Sequence, residues 1–229
     1  MQNGAARPAG AVPVELELVL AVDCSSSVSS GEIVLQMQGI ADALMHPEVV
    51  AAIEATAPKG VAITVVQWSS KANQVQVVDW HRAYDAGSTR ALAERVHETV
   101  RVVGGGSTAI GSIIEFAVRL IEDNAFEGKR RTIDISGDGV SNQGPLPDES
   151  RRLAAALGIT INGLAILNES PRLDHYYRTQ VVAGPAAFVV TAENTDDFSQ
   201  AMLRKLLIEI SGPPVASAPP PSVRHVSRQ

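Results

Sequence analysis

The stretch Val14–Val22 (VELELVLAV) alternates at first and then becomes continuously apolar. A strand reads this way when it enters a sheet near solvent and ends buried on both faces, as a central strand of a helix-covered parallel sheet does. It stops at Asp23-Cys24-Ser25-Ser26-Ser27, a charged and hydroxyl-rich loop directly behind a buried strand. Ser29 and Glu32 then have the S-x-x-E spacing of a capping box, and Ile33, Met37, Ile40 and Leu44 follow at helical spacing. The first unit is strand, loop, helix.

The pattern continues along the chain. Gly60–Trp68 and Val75–Trp80 read as strands joined by Ser69-Ser70-Lys71-Ala72-Asn73-Gln74. That connection permits a hairpin and is too short for a parallel crossover, so one strand is expected to be antiparallel and at an edge. A helix over 89–101, the loop Gly104-Gly105-Gly106-Ser107-Thr108 and an apolar helix over 109–122 come next. Arg131–Ser136 is a strand running into Gly137-Asp138-Gly139, and Asp148–Leu157 is a helix stopped by Gly158. Ile159–Leu167 and Ala186–Thr191 are further strands, and 196–210 is the closing helix. Alternating strands and helices imply an α/β, doubly wound, mainly parallel six-stranded sheet with one antiparallel edge strand and helices on both faces.

Composition supports a folded unit over 13–210, since 45% of the 229 residues are hydrophobic and only 19% charged. Residues 1–12 read as a flexible segment, and 211–229, with five prolines and no apolar period, as a disordered tail. The first twelve residues have neither the basic nor the apolar region of a signal peptide, and loss of a leader is left open. Nineteen basic against 25 acidic residues give a net charge of −6, with no basic stripe for a nucleic-acid partner. A single cysteine, Cys24, excludes an intrachain disulfide and a Cys-rich metal site, and reads as a small packed side chain. No apolar run approaches the ~18 residues of a membrane span, so the sequence reads as a soluble chain.

In sheets of this class function collects beyond the carboxyl ends of the strands. There the sequence places Asp23, Ser25 and Ser27 at i, i+2 and i+4, Thr108 where a glycine loop meets a helix, and Asp138 behind a later strand. All five offer hard oxygen ligands, suited to Mg²⁺, Mn²⁺ or Ca²⁺ rather than Zn²⁺. Each has a structural alternative: Ser27, Ser29 or Ser30 as a helix cap, Thr108 as an N-cap, Asp138-Gly139 as a turn. Asp134, a charge inside the apolar strand RTIDIS, either hydrogen-bonds the loops from behind or lies toward a solvated edge. Trp68, Trp80 and His81 belong either to a partner surface or to a half-buried edge strand.

With these residues in place, the sequence resembles the von Willebrand factor A domain family, whose metal ion-dependent adhesion site draws D-x-S-x-S, a threonine and an aspartate from three such loops. Asp23, Ser25, Ser27, Thr108 and Asp138 stand at all five positions, and the element order matches over about 14–210. The stretches LELVLAVDCSSSVSSGE, GGGSTAIGSIIEFA and FEGKRRTIDISGDGVSNQG are similar to a bacterial subfamily without an assigned activity. The resemblance implies a divalent cation, Mg²⁺ first, that holds an Asp or Glu carboxylate of a protein partner. Asp138 would bind directly or through water, with Asp134 and Asn142 as supporting residues. It also implies a periplasmic or secreted location, because similar bacterial chains begin with a signal peptide; otherwise the chain would be cytoplasmic.

The rival reading is a haloacid-dehalogenase-like phosphotransferase with Asp23 as nucleophile, for which Gly137-Asp138-Gly139 and Asn142 pass as the later motif. That family has its acid/base carboxylate two residues after the nucleophile, where this chain has Ser25. A dinucleotide site at Gly104-x-Gly106-x-x-Ala109 falls in the wrong strand-to-helix turn, and no G-x-S-x-G elbow occurs. The motif loops carry no His, Lys or Glu beyond the capping Glu32, so the site lacks an acid–base set and the expectation is a binding domain rather than an enzyme.

Overall fold

In the computed structural model, which describes residues 10–212, the chain runs β1 (Val12–Asp23), α1 (Ser30–Met45), α2 (Pro47–Glu54), β2 (Val61–Trp68) and β3 (Gln74–Ala83). It continues as α3 (Ala86–His97), α4 (Ile110–Glu122), β4 (Phe126–Gly137), α5 (Pro147–Ala156) and β5 (Thr160–Ile166). A short α6 (Leu173–Tyr176) runs into a π-turn, Tyr177–Val181; β6 (Val189–Ala192) and α7 (Phe198–Ser211) close the chain. The six strands lie in the order β3-β2-β1-β4-β5-β6. Only β3 is antiparallel, and it forms the edge beside β2, as the short connection requires. The proline-rich end expected to be disordered lies outside the described residues beyond Gly212, and none of the described helices is long and apolar enough to cross a membrane.

The order reverses between β1 and β4. The chain leaves β1 toward β2 on one side and later builds β4, β5 and β6 on the other. The loops after β1 and β4 therefore diverge and leave a crevice above the sheet, the usual place for a site in this class.

One face of the sheet is covered by α1, α2, α3 and α7, which pack on Leu16, Leu18, Leu20 and Val22 of β1. The other carries α4, α5, α6 and the π-turn over Val19, Ala21, Ile133 and Ile135. α1 begins where its capping box predicts: the Ser29 hydroxyl accepts the Glu32 amide at 3.2 Å and Glu32 Oε2 accepts the Ser29 amide at 2.8 Å. Its stripe of Ile33, Met37, Ile40 and Leu44 is buried. The structure departs from the sequence expectation at α3, which covers 86–97 rather than 89–101. Asp85 and Ser88 form an earlier capping box, and the Gln67 side chain then draws the chain out straight by donating to Val100 O at 2.9 Å and accepting the Val102 amide at 2.8 Å. Glu17, expected near solvent, is fully buried; Oε2 accepts Asn124 Nδ2 at 2.7 Å and Oε1 the Gly128 amide at 2.5 Å.

Asp134 lies in neither of its expected settings. β4 is a central strand, and Asp134 is buried under α7, its Oδ1 3.1 Å from Lys205 Nζ. Lys205 also meets Glu209 Oε1 at 2.9 Å and the ring of Phe188, while Asn162 Nδ2 donates to the same Glu209 oxygen at 2.8 Å. Two buried carboxylates share one ammonium. Burial pushes the Asp134 carboxyl up to about 7, against the pull of Lys205. A carboxyl raised in this way favours folding less as pH climbs from its ordinary value toward 7.

Lys205→Met keeps most of the volume and leaves both carboxylates without their cation. It is expected to lower stability by about 3–5 kcal/mol in urea denaturation at pH 8. The loss should shrink at pH 5, where protonated carboxyls are cheaper to bury. An equal loss at both pH values would show that Lys205 acts through packing alone.

Candidate functional site

The five residues singled out in the sequence meet at the crevice where the strand order reverses. Asp23 is the last residue of β1, and its Oδ1 accepts the Ser25 amide at 2.7 Å, which turns the loop sharply and places Ser25 beside it. The Ser25 and Ser27 hydroxyl oxygens are 3.2 Å apart, and Ser27 Oγ donates to Asp138 Oδ1 at 2.7 Å across the gap between the β1 and β4 loops. Thr108 approaches from the third loop: a Cβ on Gly139 would stand 3.6 Å from Thr108 Oγ1. The Ser26 amide donates to Gly106 O at 3.0 Å, tying the first loop to the glycine loop. Asp23, Ser25, Thr108 and Asp138 are buried, whereas Ser27 is exposed, so the cluster opens to solvent on one side.

The structural alternatives separate here. Ser29, not Ser27 or Ser30, caps α1. α4 opens at Ala109 with no side-chain cap, so Thr108 is not an N-cap. Asn142 pairs with Thr108 through two bonds of 2.8 Å, Thr108 N donating to Asn142 Oδ1 and Asn142 N to Thr108 O, and thereby sets the threonine backbone. Asp134 faces Lys205 instead of these loops.

Burial of the Asp23 carboxyl outweighs the downward pull of the Arg101 guanidinium on it. Among the described residues no Lys or Arg forms an ion pair with Asp23 or Asp138, and Asp23 Oδ2 is buried without a hydrogen-bond partner. Burial pushes Asp23 up to about 7 despite the Ser25 amide, and Asp138 upward despite the Ser27 hydroxyl. Such a set of oxygens, two carboxylates and three neutral hydroxyls, fits a hard divalent cation. Among the described residues no group of three His, Cys, Asp or Glu is placed to hold an ion, so any ion here would depend on the hydroxyls.

Sequence reasoning missed Arg101. Its guanidinium donates to Cys24 O at 2.6 Å, Val28 O at 2.9 Å and Val103 O at 2.9 Å, bracing the loop that carries Ser25 and Ser27. Nothing in the spacing of an arginine 77 positions from Cys24 announces this contact. Cys24 is buried and its thiol is pushed up to about 12, chiefly by that burial, which fits a packed side chain. Trp68 is also buried, and half-buried Trp80 packs at a tilt on Phe126, as the edge-strand reading has it.

The sheet order and its helix cover are those of the von Willebrand A fold. Residues 13–214 match the family described as "Protein of unknown function (DUF1194)", and the chain belongs to that family. Among solved structures, proximal thread matrix protein 1 from the mussel byssus, in a form described as having a zinc-occupied MIDAS motif, is similar at 15% identity and a TM-score of 0.59, over 88% of this chain and 47% of that one. A von Willebrand factor type A protein from Catenulispora acidiphila is similar at 16% identity and a TM-score of 0.60, over 86% and 43%. The vWF domain of the pilus tip protein Mfa5 from Porphyromonas gingivalis is similar at 13% identity and a TM-score of 0.58, over 90% and 99%. The chain thus spans about half the length of the first two, and at these identities the likeness is one of fold. A search of curated proteins gave no match.

Arg101→Ala removes three charge-assisted bonds to loop carbonyls. It is expected to cost roughly 2–3 kcal/mol of stability and to speed proteolysis within 24–28. Unchanged cleavage there would show that the loop holds its shape without the arginine.

Proposed function

We propose that this domain binds a divalent cation and uses it to hold an acidic residue of a protein partner. Asp23, Ser25, Ser27 and Thr108 would hold the ion, with Asp138 binding directly or through water; Mg²⁺ is the first candidate, with Mn²⁺ and Ca²⁺ as alternatives. The observation that carries the reading is the pair of buried carboxylates Asp23 and Asp138, neither of them in an ion pair among the described residues, set beside hydroxyls that no helix uses as caps. The zinc-occupied MIDAS motif described for the mussel protein, on the same fold, supports a metal at this place.

The donor set explains why the product would be binding. Hydroxyls are neutral, so they orient a cation without cancelling its charge, and such a cation favours an anionic oxygen from outside. On the protein side, Asn142 would keep Thr108 in place and Arg101 would keep Ser25 and Ser27 facing Asp138. Proton transfer has no candidate at the position that matters for the phosphotransferase alternative. Ser25 stands two residues after Asp23, and its hydroxyl lies against Ser27. A periplasmic or secreted site of action forms part of the proposal, supported by the pilus and byssus proteins among the fold neighbours.

Calorimetry should show Mg²⁺ or Mn²⁺ binding in the wild type and a clear weakening in Ser25→Ala, with the melting temperature nearly unchanged because alanine keeps the backbone bond to Asp23 and loses only one oxygen. Tight Zn²⁺ binding with no Mg²⁺ or Mn²⁺ response would overturn the metal assignment. Ser25→Asp separates the two functions, since it adds the carboxylate a phosphotransferase needs. Phosphatase turnover that appears in this variant and vanishes again with Asp23→Asn would replace the binding reading.

A further inference from the structure

A second buried group faces the site from behind. Tyr177, the first residue of the π-turn after α6, is fully buried on the sheet, and its hydroxyl has no hydrogen-bond partner. Asp23 Oδ2 is in the same condition. Both atoms face one point: a Cβ on Gly137 would stand 2.8 Å from Asp23 Oδ2 and 2.9 Å from Tyr177 Oη. The tyrosine ring gets there because Gly163, on the neighbouring strand, leaves room for it; a Cβ on Gly163 would stand 2.5 Å from Tyr177 Cδ1. Two glycines on adjacent strands clear a track across the sheet, and the ring lies along it with its hydroxyl at the end nearest Asp23.

The chemistry of the two groups is complementary. A phenol donates one proton, and an ionised carboxylate only accepts. Left unmade, a buried hydroxyl is destabilising, and phenylalanine would fill the same space without that cost. A tyrosine whose hydroxyl ends beside the same glycine as the inner oxygen of Asp23 is therefore not explained by packing.

Building on the metal-binding reading, we infer that Tyr177 is a positioning residue for the candidate metal site: its hydroxyl donates to Asp23 Oδ2 when the cation is held. That bond would fix the carboxylate from the sheet side, while the Ser25 amide fixes Oδ1 from the loop side. Asp23 would then be held at both oxygens without any change in β1.

The test compares the full chain with Tyr177→Phe and with Gly137→Ala, which places a methyl group between the two atoms. Three readouts are needed: melting temperature without metal, Mn²⁺ and Mg²⁺ affinity by calorimetry, and the metal-induced shift of the Ser25 amide proton, which reports the bond to Asp23 Oδ1. Tyr177→Phe should melt at or above the wild-type temperature without metal, bind Mn²⁺ on the order of tenfold more weakly, and show an altered Ser25 shift. Gly137→Ala should weaken binding as well. Wild-type affinity in Tyr177→Phe would overturn the role of Tyr177 and leave the metal site standing. A fall in melting temperature without metal, with unchanged affinity in the folded fraction, would mark the residue as packing only. Absence of Mg²⁺ and Mn²⁺ binding in the wild type would overturn both readings.

Discussion

β1 is hydrogen-bonded along both sides, to β2 over Leu16–Asp23 and to β4 over Val12–Val22, and it is covered on both faces. A one-residue slip would turn Leu16, Leu18, Leu20 and Val22 away from α1 and α7, so the register cannot drift. Asp23 is the end of that strand, and its place is set by the sheet rather than by the loop it opens. The chain leaves β1 only after the Cys24 amide has donated to Trp68 O at 2.7 Å. The candidate site then depends on how Ser25, Ser26 and Ser27 bend, and Arg101 grips the carbonyls of Cys24 and Val28 on either side of them.

Asp134 in β4 and Asp138 just beyond its end are buried carboxylates four residues apart, and their surroundings differ. Asp134 faces α7 and shares the Lys205 ammonium with Glu209, so a counter-charge is built in beside it. Asp138 meets a serine hydroxyl, and Asp23 meets a backbone amide; among the described residues neither forms an ion pair, and burial outweighs the pull of Arg101 on Asp23. Burying an ionised group is tolerated where a counter-charge is built in. Where it is not, the group neutralises or takes a charge from outside. The contrast between the Lys205 cluster and the carboxylates beyond the strand ends is the physical basis for treating the loop cluster as a candidate site and the other as structure.

Much of this was legible in the sequence. The buried strand, the capping box of Ser29 and Glu32, and the short link between β2 and β3 depend on local patterns, and the fold class follows from their order. The convergence of Asp23, Ser25, Ser27, Thr108 and Asp138 was foreseen because all five lie at strand ends or helix starts on one side of such a sheet. Other features were not legible, for identifiable reasons. α2 starts after only one intervening residue, with His46 ending α1 and capping α2. α3 ends early because a side chain from β2, Gln67, takes the place of helical hydrogen bonds. Asp134 and Lys205 are 71 residues apart in sequence, and no periodicity reveals that one is the other's partner.

The serines show how an ambiguity of composition becomes a division of labour. Five serines between 25 and 30 all suit a helix start by propensity alone. Only one can sit where the Glu32 amide points, and Ser29 takes that place. Ser25 is held back by its amide bond to Asp23, and Ser27 reaches across to Asp138. The cap thus does more than begin α1. By satisfying the first turn of the helix with Ser29 and Glu32, it leaves the hydroxyls upstream with no helical donor to serve, and their remaining neighbours are one another and two buried carboxylates.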